Sequence, residues 1–324
     1  MIDSSFKTIK KVSSVSESVL VTGSCGFVGT WVLRSLLKQG RTVVGIDAHE
    51  NPERWKRLLG SQAKSVPFIP GSLLDRKLLE RVFVDHGVTH VIHLAALLTP
   101  ACQQDPFVGC EVNVLGSVAL FEQAVKSRIK GLSYASSLAV FGPEPDADTS
   151  VKVAPENRSP SFYGTFKKAV ELIAEQYWMH SNLPSVGIRP HVVYGPERDQ
   201  GLTAGPSLAA RAAALEQSFQ INYRGLVGYD YVEDVADAFV QTALHTPPGA
   251  VVVDLPSEPA TVEQIVAAIE QAIPGSTSKI TIDGPTLPRN DSPRDRVITQ
   301  ILPDWKPTSI SEGIRRTIEF YRQP

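Results

Sequence analysis

The chain has 324 residues, 42% hydrophobic and 20% charged, with a net charge of −2. That composition supplies a substantial core and argues against disorder, and the lack of a long basic run argues against a nucleic-acid partner. No apolar stretch is expected to approach the roughly 18 residues that cross a bilayer, so no membrane partner is expected either.

Residues 1–17 are polar and Ser-rich without an apolar core, and read as a flexible extension rather than a secretory signal. Short β-rich runs then alternate with helical stretches. Ser18–Thr22, Thr42–Ile46, Ser65–Ile69, His90–Leu94, Gly131–Ala135 and Ser185–Arg189 read as strands, with helices over 27–39, 75–86, 105–128 and 161–181 among them. Continuously apolar strands, each followed by a helix, imply a parallel sheet covered on both faces. Right-handed crossovers make this a doubly wound, Rossmann-type α/β fold. Past Pro190 the alternation breaks. An Ala-rich helix over Ser207–Gln217 follows, then a helix over 232–245 and a strand Ala250–Asp254 expected to return to the main sheet. The expected division is a dinucleotide-binding domain over 18–194 and a smaller, mainly substrate-binding lobe over 195–324, with the ligand cleft between them.

The first strand runs into Gly23-Ser24-Cys25-Gly26-Phe27-Val28-Gly29 and then a helix. Gly23 permits the tight turn, Gly26 lets the backbone approach a pyrophosphate, and Gly29 lets the helix pack closely. The helix N-terminus at Phe27 and Val28 offers free N–H groups to phosphate. Asp47 ends the second strand, where a carboxylate accepts from an adenosine ribose and repels a 2′-phosphate. NAD is therefore favoured over NADP, although Arg54 lies near enough in sequence to compensate. Leu94, Ala95 and Ala96 end the fourth strand and suit close passage of a cofactor, and Pro190 after the sixth strand is assigned to the same site. His93 reads as a packed histidine. Cys25, although within the turn, reads as a small buried filler.

Tyr163 and Lys167 stand at i and i+4 on one helix face. A lysine ammonium and a cationic nicotinamide would both stabilise a phenolate, and reaching neutrality from about 10 takes about three pKa units. Tyr163 would then act as the base toward a substrate hydroxyl, Ser137 would hold the same oxygen, and Lys167 would also bind the nicotinamide ribose. Three cysteines (Cys25, Cys102, Cys110) are too few and too scattered for a disulfide framework or a zinc cage. No metal is expected, and a cytoplasmic setting fits.

Together these segments resemble the extended short-chain dehydrogenase/reductase family, which contains the nucleotide-sugar epimerases and dehydratases. VTGSCGFVG, HLAA, VNVLGS, SSLAVFG, YGTFK, IRPHVVYGP, YVEDVADA and the tail PDWKPTSISEGIRRTIEFY occur in the family's order. The resemblance implies that Ser137 is the catalytic serine and that Asn113 braces the region of Lys167. It also fits a homodimer joined through helices 105–128 and 161–181.

Departures from the family narrow the substrate. Leu138 and Ala139 replace the Asp and Glu that dehydratases use to eliminate water. Val192, following His191, stands where nucleotide-sugar enzymes carry Asn, and Val227 where they carry a diphosphate-binding Arg. Arg198, Arg224, Arg289 and Arg294 remain as possible substitutes. A smaller carbohydrate-like substrate is therefore preferred: a sugar acid, polyol or hydroxy acid. Candidate contacts to it are Ser137, Thr99 and Arg198, with His191 either a contact or a packed histidine. Net epimerisation and net dehydrogenation both remain open. The alternatives are a UDP-glucose 4-epimerase-like enzyme and a non-catalytic NAD-binding sensor, the latter disfavoured because tyrosine, lysine and serine are all present.

Overall fold

The computed structural model describes residues 17–141, 159, 161–287 and 296–323. Most of the expected N-terminal extension, together with Pro160, Arg289 and Arg294, lies outside the described residues.

The first half builds β1 (Ser18–Thr22), α1 (Phe27–Lys38), β2 (Thr42–Asp47), α2 (Pro52–Leu59), β3 (Phe68–Pro70), α3 (Arg76–Asp85) and β4 (His90–His93). Then come α4 (Thr99–Gln104), α5 (Pro106–Cys110), a π-helical turn Glu111–Leu115, α6 (Gly116–Lys126), β5 (Gly131–Ala135), α7 (Phe162–Ser181) and β6 (Ser185–Arg189). The remainder is β7 (Val192–Tyr194), α8 (Gly205–Ala214), β8 (Phe219–Ile221), β9 (Leu226–Tyr231), α9 (Val232–Leu244), β10 (Ala250–Asp254), β11 (Glu258–Thr261), α10 (Val262–Ala272), β12 (Ile280–Ile282) and α11 (Ile310–Arg322).

Seven parallel strands form the main sheet in the order β10-β6-β5-β4-β1-β2-β3. β1 and β4 are fully buried, as strands covered on both faces must be. One apolar layer packs α1 and α9 on the sheet, with Trp31, Leu33, Val235 and Phe239 in its core. The other packs α3, α6 and α7, around Leu79, Phe83, Leu120, Phe121 and Val170. The chain reverses direction across the sheet between β1 and β4, which opens the crevice at their carboxyl ends. Thr22 pairs with both Ile46 and His93, so β1, β2 and β4 end level there.

A second core gathers Tyr194, Ile221, Tyr223, Tyr229, Tyr231, Ile265 and Ile314 around the three-stranded sheet β11-β9-β7, the pair β12-β8 and helices α8, α10 and α11.

Several expectations need correcting. The third strand begins at Phe68 rather than Ser65, because a 3-10 turn over Gly60–Ser65 uses up its start. The helix expected over 105–128 runs continuously over Pro106–Lys126, with a π-helical turn at Glu111–Leu115 between α5 and α6. The helical run Pro106–Lys126 is 21 residues long and holds an 18-residue window of mean hydropathy 1.2, half of it buried within the fold, so one stretch does approach spanning length. α2 and α10 add helices beyond those expected, and α10 opens with a Thr261/Gln264 capping box.

Candidate active site

The Gly-rich turn is shaped by backbone contact. Gly23 takes φ +68, and a Cβ there would lie 2.7 Å from the backbone N of Ala95. The end of β1 thus rests directly on the end of β4. A Cβ on Gly29 would come within 2.0 Å of the Gly23 carbonyl oxygen, so α1 can start this close to the turn only with glycine at that position. No side chain caps the N-terminus of α1. Its first N–H groups therefore face the crevice as an anion-binding end, with Phe27 and Val28 as the first helical residues. Asp47 lies beside the turn: Oδ2 accepts from the Cys25 N–H at 2.9 Å and Oδ1 from the His49 N–H at 3.2 Å. Each carboxylate oxygen keeps a lone pair for a ribose hydroxyl. These features fit a dinucleotide.

Arg54, the possible partner for a 2′-phosphate, is committed elsewhere. Its guanidinium donates to the Cys25 carbonyl at 2.7 Å and pairs with Asp199 at 2.7 Å, with its side chain only 7% exposed. Cys25 itself is buried, and burial raises its thiol pKa.

Thr22, at the end of β1, organises the neighbouring strand. Its hydroxyl accepts from the N–H groups of Leu94 and Ala95, both at 3.2 Å, and contacts His93 Nδ1 at 2.7 Å. Ala96 follows, partly buried. With its acceptor capacity filled, the hydroxyl proton points to Nδ1, so His93 carries its proton on Nε2. That nitrogen reaches Ser117 Oγ at 2.9 Å, which in turn donates to the Asn113 carbonyl at 2.7 Å. His93 is a packed histidine, and burial pulls its pKa down to about 3.

Asn113 lies in the π turn, a local irregularity of the kind often found at functional sites. Its side chain clamps both backbone groups of Leu97, accepting at 2.7 Å and donating at 2.9 Å. The brace it provides is thus to the segment after β4; Lys167 donates instead to the Ala135 carbonyl at 2.7 Å. Thr99 begins α4, partly buried, and α4 packs against α7.

Tyr163 and Lys167 sit at the start of α7, whose first turn is capped by Ser161 accepting from the Gly164 N–H. A Cβ on Gly164 would meet the Ala139 carbonyl oxygen at 1.9 Å, so glycine lets α7 press onto the Ser137–Val140 turn. That contact sets the Ser137 hydroxyl beside the Tyr163 phenol, where it favours the ionised form. Lys167 is buried, with Nζ 5.7 Å from the centre of the Tyr163 ring. Burial pushes Tyr163 up to about 12, opposed by the Ser137 bond and the charge of Arg198, and burial pulls Lys167 down to about 8. The downward pull on the phenol comes from Ser137 and Arg198 rather than from Lys167 as expected, and desolvation outweighs both.

One helical turn beyond Lys167, Glu171 is buried and accepts two bonds of 2.6 Å from Arg189 and one of 2.6 Å from Ser136. Arg189 also lies 3.5 Å from Asp254 on β10. Sequence reasoning missed this network, which joins α7 to β5, β6 and β10.

On the far side of the crevice, the Pro190 carbonyl accepts from the Leu138 N–H at 3.3 Å. The His191 N–H donates to Asp230 at 2.7 Å, and a Cβ on Gly228 would lie 2.6 Å from His191 Nδ1. His191 is therefore packed against β9. Arg198 donates to the Val193 carbonyl and, at 3.0 Å, to Thr203, and its charge is felt by Tyr163. Val192 and Val227 sit within the paired strands β7 and β9.

The sequence model of the NAD dependent epimerase/dehydratase family matches residues 19–253. "Protein CapI" of Staphylococcus aureus is 29% identical over 68% of this chain and 67% of its own length. A UDP-glucose 4-epimerase of Mycolicibacterium smegmatis is 28% identical over 94% of this chain and 98% of its own. For several other UDP-glucose 4-epimerases the match spans about half of the relative, as in the 48% covered in the Yersinia enterocolitica protein. Among solved structures, the Thermus thermophilus UDP-glucose 4-epimerase complex with NAD aligns with a TM-score of 0.76 and 27% identity, over 94% of this chain and 99% of that one.

His93 generates a pH prediction. Its proton affinity is depressed in the fold, near 3 against 6.5 when unfolded, so its contribution to stability is complete above pH 6.5 and is lost as pH falls toward 3. Urea unfolding between pH 6 and 4 should show a slope of about 1.4 kcal/mol per pH unit from this residue. His93→Asn should flatten the profile by that amount; an unchanged slope would remove the assignment.

Proposed function

Because this chain belongs to the NAD dependent epimerase/dehydratase family, we propose that it transfers a hydride at a secondary alcohol or ketone of a carbohydrate-like substrate, with Tyr163, Lys167 and Ser137 as the working group. It is an NAD-dependent enzyme of the short-chain dehydrogenase/reductase type. The observation that carries the reading is the contact of the Tyr163 phenol with the Ser137 hydroxyl at the carboxyl edge of the sheet, with Lys167 buried beside them.

The turn residues Gly23, Cys25, Gly26, Phe27, Val28 and Gly29 would hold the pyrophosphate, and Asp47 the adenosine ribose. Leu94, Ala95, Ala96 and Pro190 would line the nicotinamide half, where Lys167 would bind the ribose and Asn113 would fix the segment after Leu94. Bound NAD would accept the hydride, and its cationic ring would supply the downward pull on the tyrosine that the protein lacks. Tyr163 takes the proton of the substrate hydroxyl, and Ser137 holds the same oxygen in line with it. Lys167 keeps its ammonium oriented through the Ala135 carbonyl.

Arg198 bears on the class of substrate. The acids on either side of it are committed to other arginines, Glu197 to Arg57 and Asp199 to Arg54. Arg198 is left with neutral partners, and its buried Nε has no hydrogen-bond partner among the described residues. A largely desolvated cation in this state favours an anionic ligand group. This supports a sugar acid or hydroxy acid. A second reading, a UDP-sugar 4-epimerase, is favoured by the names of relatives that match nearly the whole chain. Against it stand the two valines, Val192 and Val227, where the family's asparagine and arginine would meet a diphosphate.

A homodimer is part of the proposal. Phe107 is 73% exposed, and Leu115, Phe162, Leu172 and Met179 are also exposed, all of them on the run Pro106–Lys126 or on α7. Pairing these helices with a second copy would cover them. The three cysteines are free thiols, which supports a reducing, cytoplasmic setting.

A panel of sugar acids, polyols and UDP-sugars, assayed both for NADH release and for epimer formation without it, tests the substrate class. Turnover is expected with the acids; turnover of UDP-sugars alone would overturn the small-substrate reading. On the substrate so identified, Tyr163→Phe should lower kcat by about 10² or more with NAD affinity nearly unchanged. Near-normal turnover would take the tyrosine out of the mechanism. Phe107→Glu should shift sedimentation from dimer to monomer, and a wild-type monomer at micromolar concentration would refute the assembly.

A further inference from the structure

Both backbone groups of Cys25, in the middle of the Gly-rich turn, are held by charged side chains. Its N–H donates to Asp47 Oδ2 at 2.9 Å, and its carbonyl accepts from Arg54 Nη1 at 2.7 Å. The same guanidinium reaches Asp199 Oδ2 at 2.7 Å and the Glu197 carbonyl at 3.2 Å. One buried arginine thus joins the turn to the 196–199 segment, which carries Arg198 toward Tyr163.

That segment is tied down from other directions too. Trp31 donates to the Pro196 carbonyl at 2.9 Å, and Arg57 holds the Glu197 carboxylate with two bonds of 2.8 and 2.7 Å. The Glu197 N–H donates to the Tyr321 hydroxyl at 2.7 Å. Glu197 adopts φ +71, a conformation costly for a residue with a side chain, so these bonds must outweigh its strain.

We propose that Arg54 is a positioning residue for the cofactor. It fixes the Cys25–Gly26 peptide so that the N–H groups of the turn and the uncapped end of α1 are presented together to a pyrophosphate, and it couples that geometry to the segment bearing Arg198. The inference rests on the NAD reading above. Its physical basis is the three glycines, which leave an unsupported turn free to sample many conformations. Apparent affinity falls with the fraction of molecules in the competent one, and Arg54 with Asp47 raises that fraction. Being committed to three oxygens, the guanidinium is not available to a ribose 2′-phosphate.

Calorimetric titration of the full chain with NAD, and with ADP-ribose, which carries the pyrophosphate without the nicotinamide, tests this. Arg54→Gln should weaken both ligands by about tenfold or more, with stoichiometry near one per chain. Arg54→Lys should recover only part of the loss, because an ammonium lacks the guanidinium fork. Arg57→Gln loosens Glu197 without touching Cys25 and should change affinity by about threefold at most. Arg54→Gln binding as tightly as wild type, or binding with reduced stoichiometry at unchanged affinity, would overturn the proposal; the latter is what mere structural damage would give. If Arg54→Gln does not fold, Arg54→Lys decides, and wild-type affinity there overturns the role. A wild-type chain that binds neither ligand would instead sink the cofactor reading, and this inference with it.

Discussion

The geometry of the site depends on a buried ion pair that touches none of the reacting groups. Glu171 and Arg189 meet through two bonds of 2.6 Å, with Ser136 as a third contact and Asp254 behind. Removing one partner of an isolated buried pair costs about 3–5 kcal/mol. Here Asp254 would still face Arg189, and Ser136 and Lys168 would still face Glu171, which softens the loss. The pair ties α7 to the ends of β5, β6 and β10. Glu171 is one turn past Lys167, so its anchorage sets the rotation of the helix. Ser136 is adjacent to Ser137, so the same anchorage sets the serine. Gly164 then lets the helix close on the Ala139 carbonyl, and the phenol and hydroxyl meet.

Electrostatics in this site run against simple expectation. Burial opposes charge on Tyr163 and on Lys167 alike, raising one and lowering the other. A buried site with a neutral phenol and an ammonium of lowered proton affinity is poorly set for proton abstraction until a further cation is placed beside the phenol. In the proposed mechanism, chemistry is thereby coupled to cofactor occupancy.

What the sequence made legible is what depends on local chemistry. The Gly-rich turn, Asp47 at the end of β2 and the Tyr163/Lys167 spacing all follow from residues within one strand–turn–helix unit or one helical turn. His93 was read as packed, and its two nitrogens are both satisfied within the fold. The failures have different causes. Asn113 clamps Leu97, sixteen residues away, and no local pattern indicates which backbone it will meet. Arg54 contacts a segment 143 residues on, so its commitment was invisible and it looked free for a phosphate. The π turn inside the helix over 106–126 has no proline or paired glycines to announce it. α10 is a different case, because its Thr261/Gln264 capping signal is local and legible in the sequence.

The bond between the Glu197 N–H and the Tyr321 hydroxyl spans 124 residues. Glu197 also holds a place in the junction around Arg54, so the cofactor edge of the molecule is completed by a side chain on α11. During vectorial synthesis the Rossmann strands emerge and can pair well before that helix exists. A nascent chain would therefore carry an assembled sheet with an unfinished binding edge, and its competence for dinucleotide would be acquired late. Such long sequence separation also slows the final docking relative to the local helices, since the intervening chain must be ordered before the contact repays it.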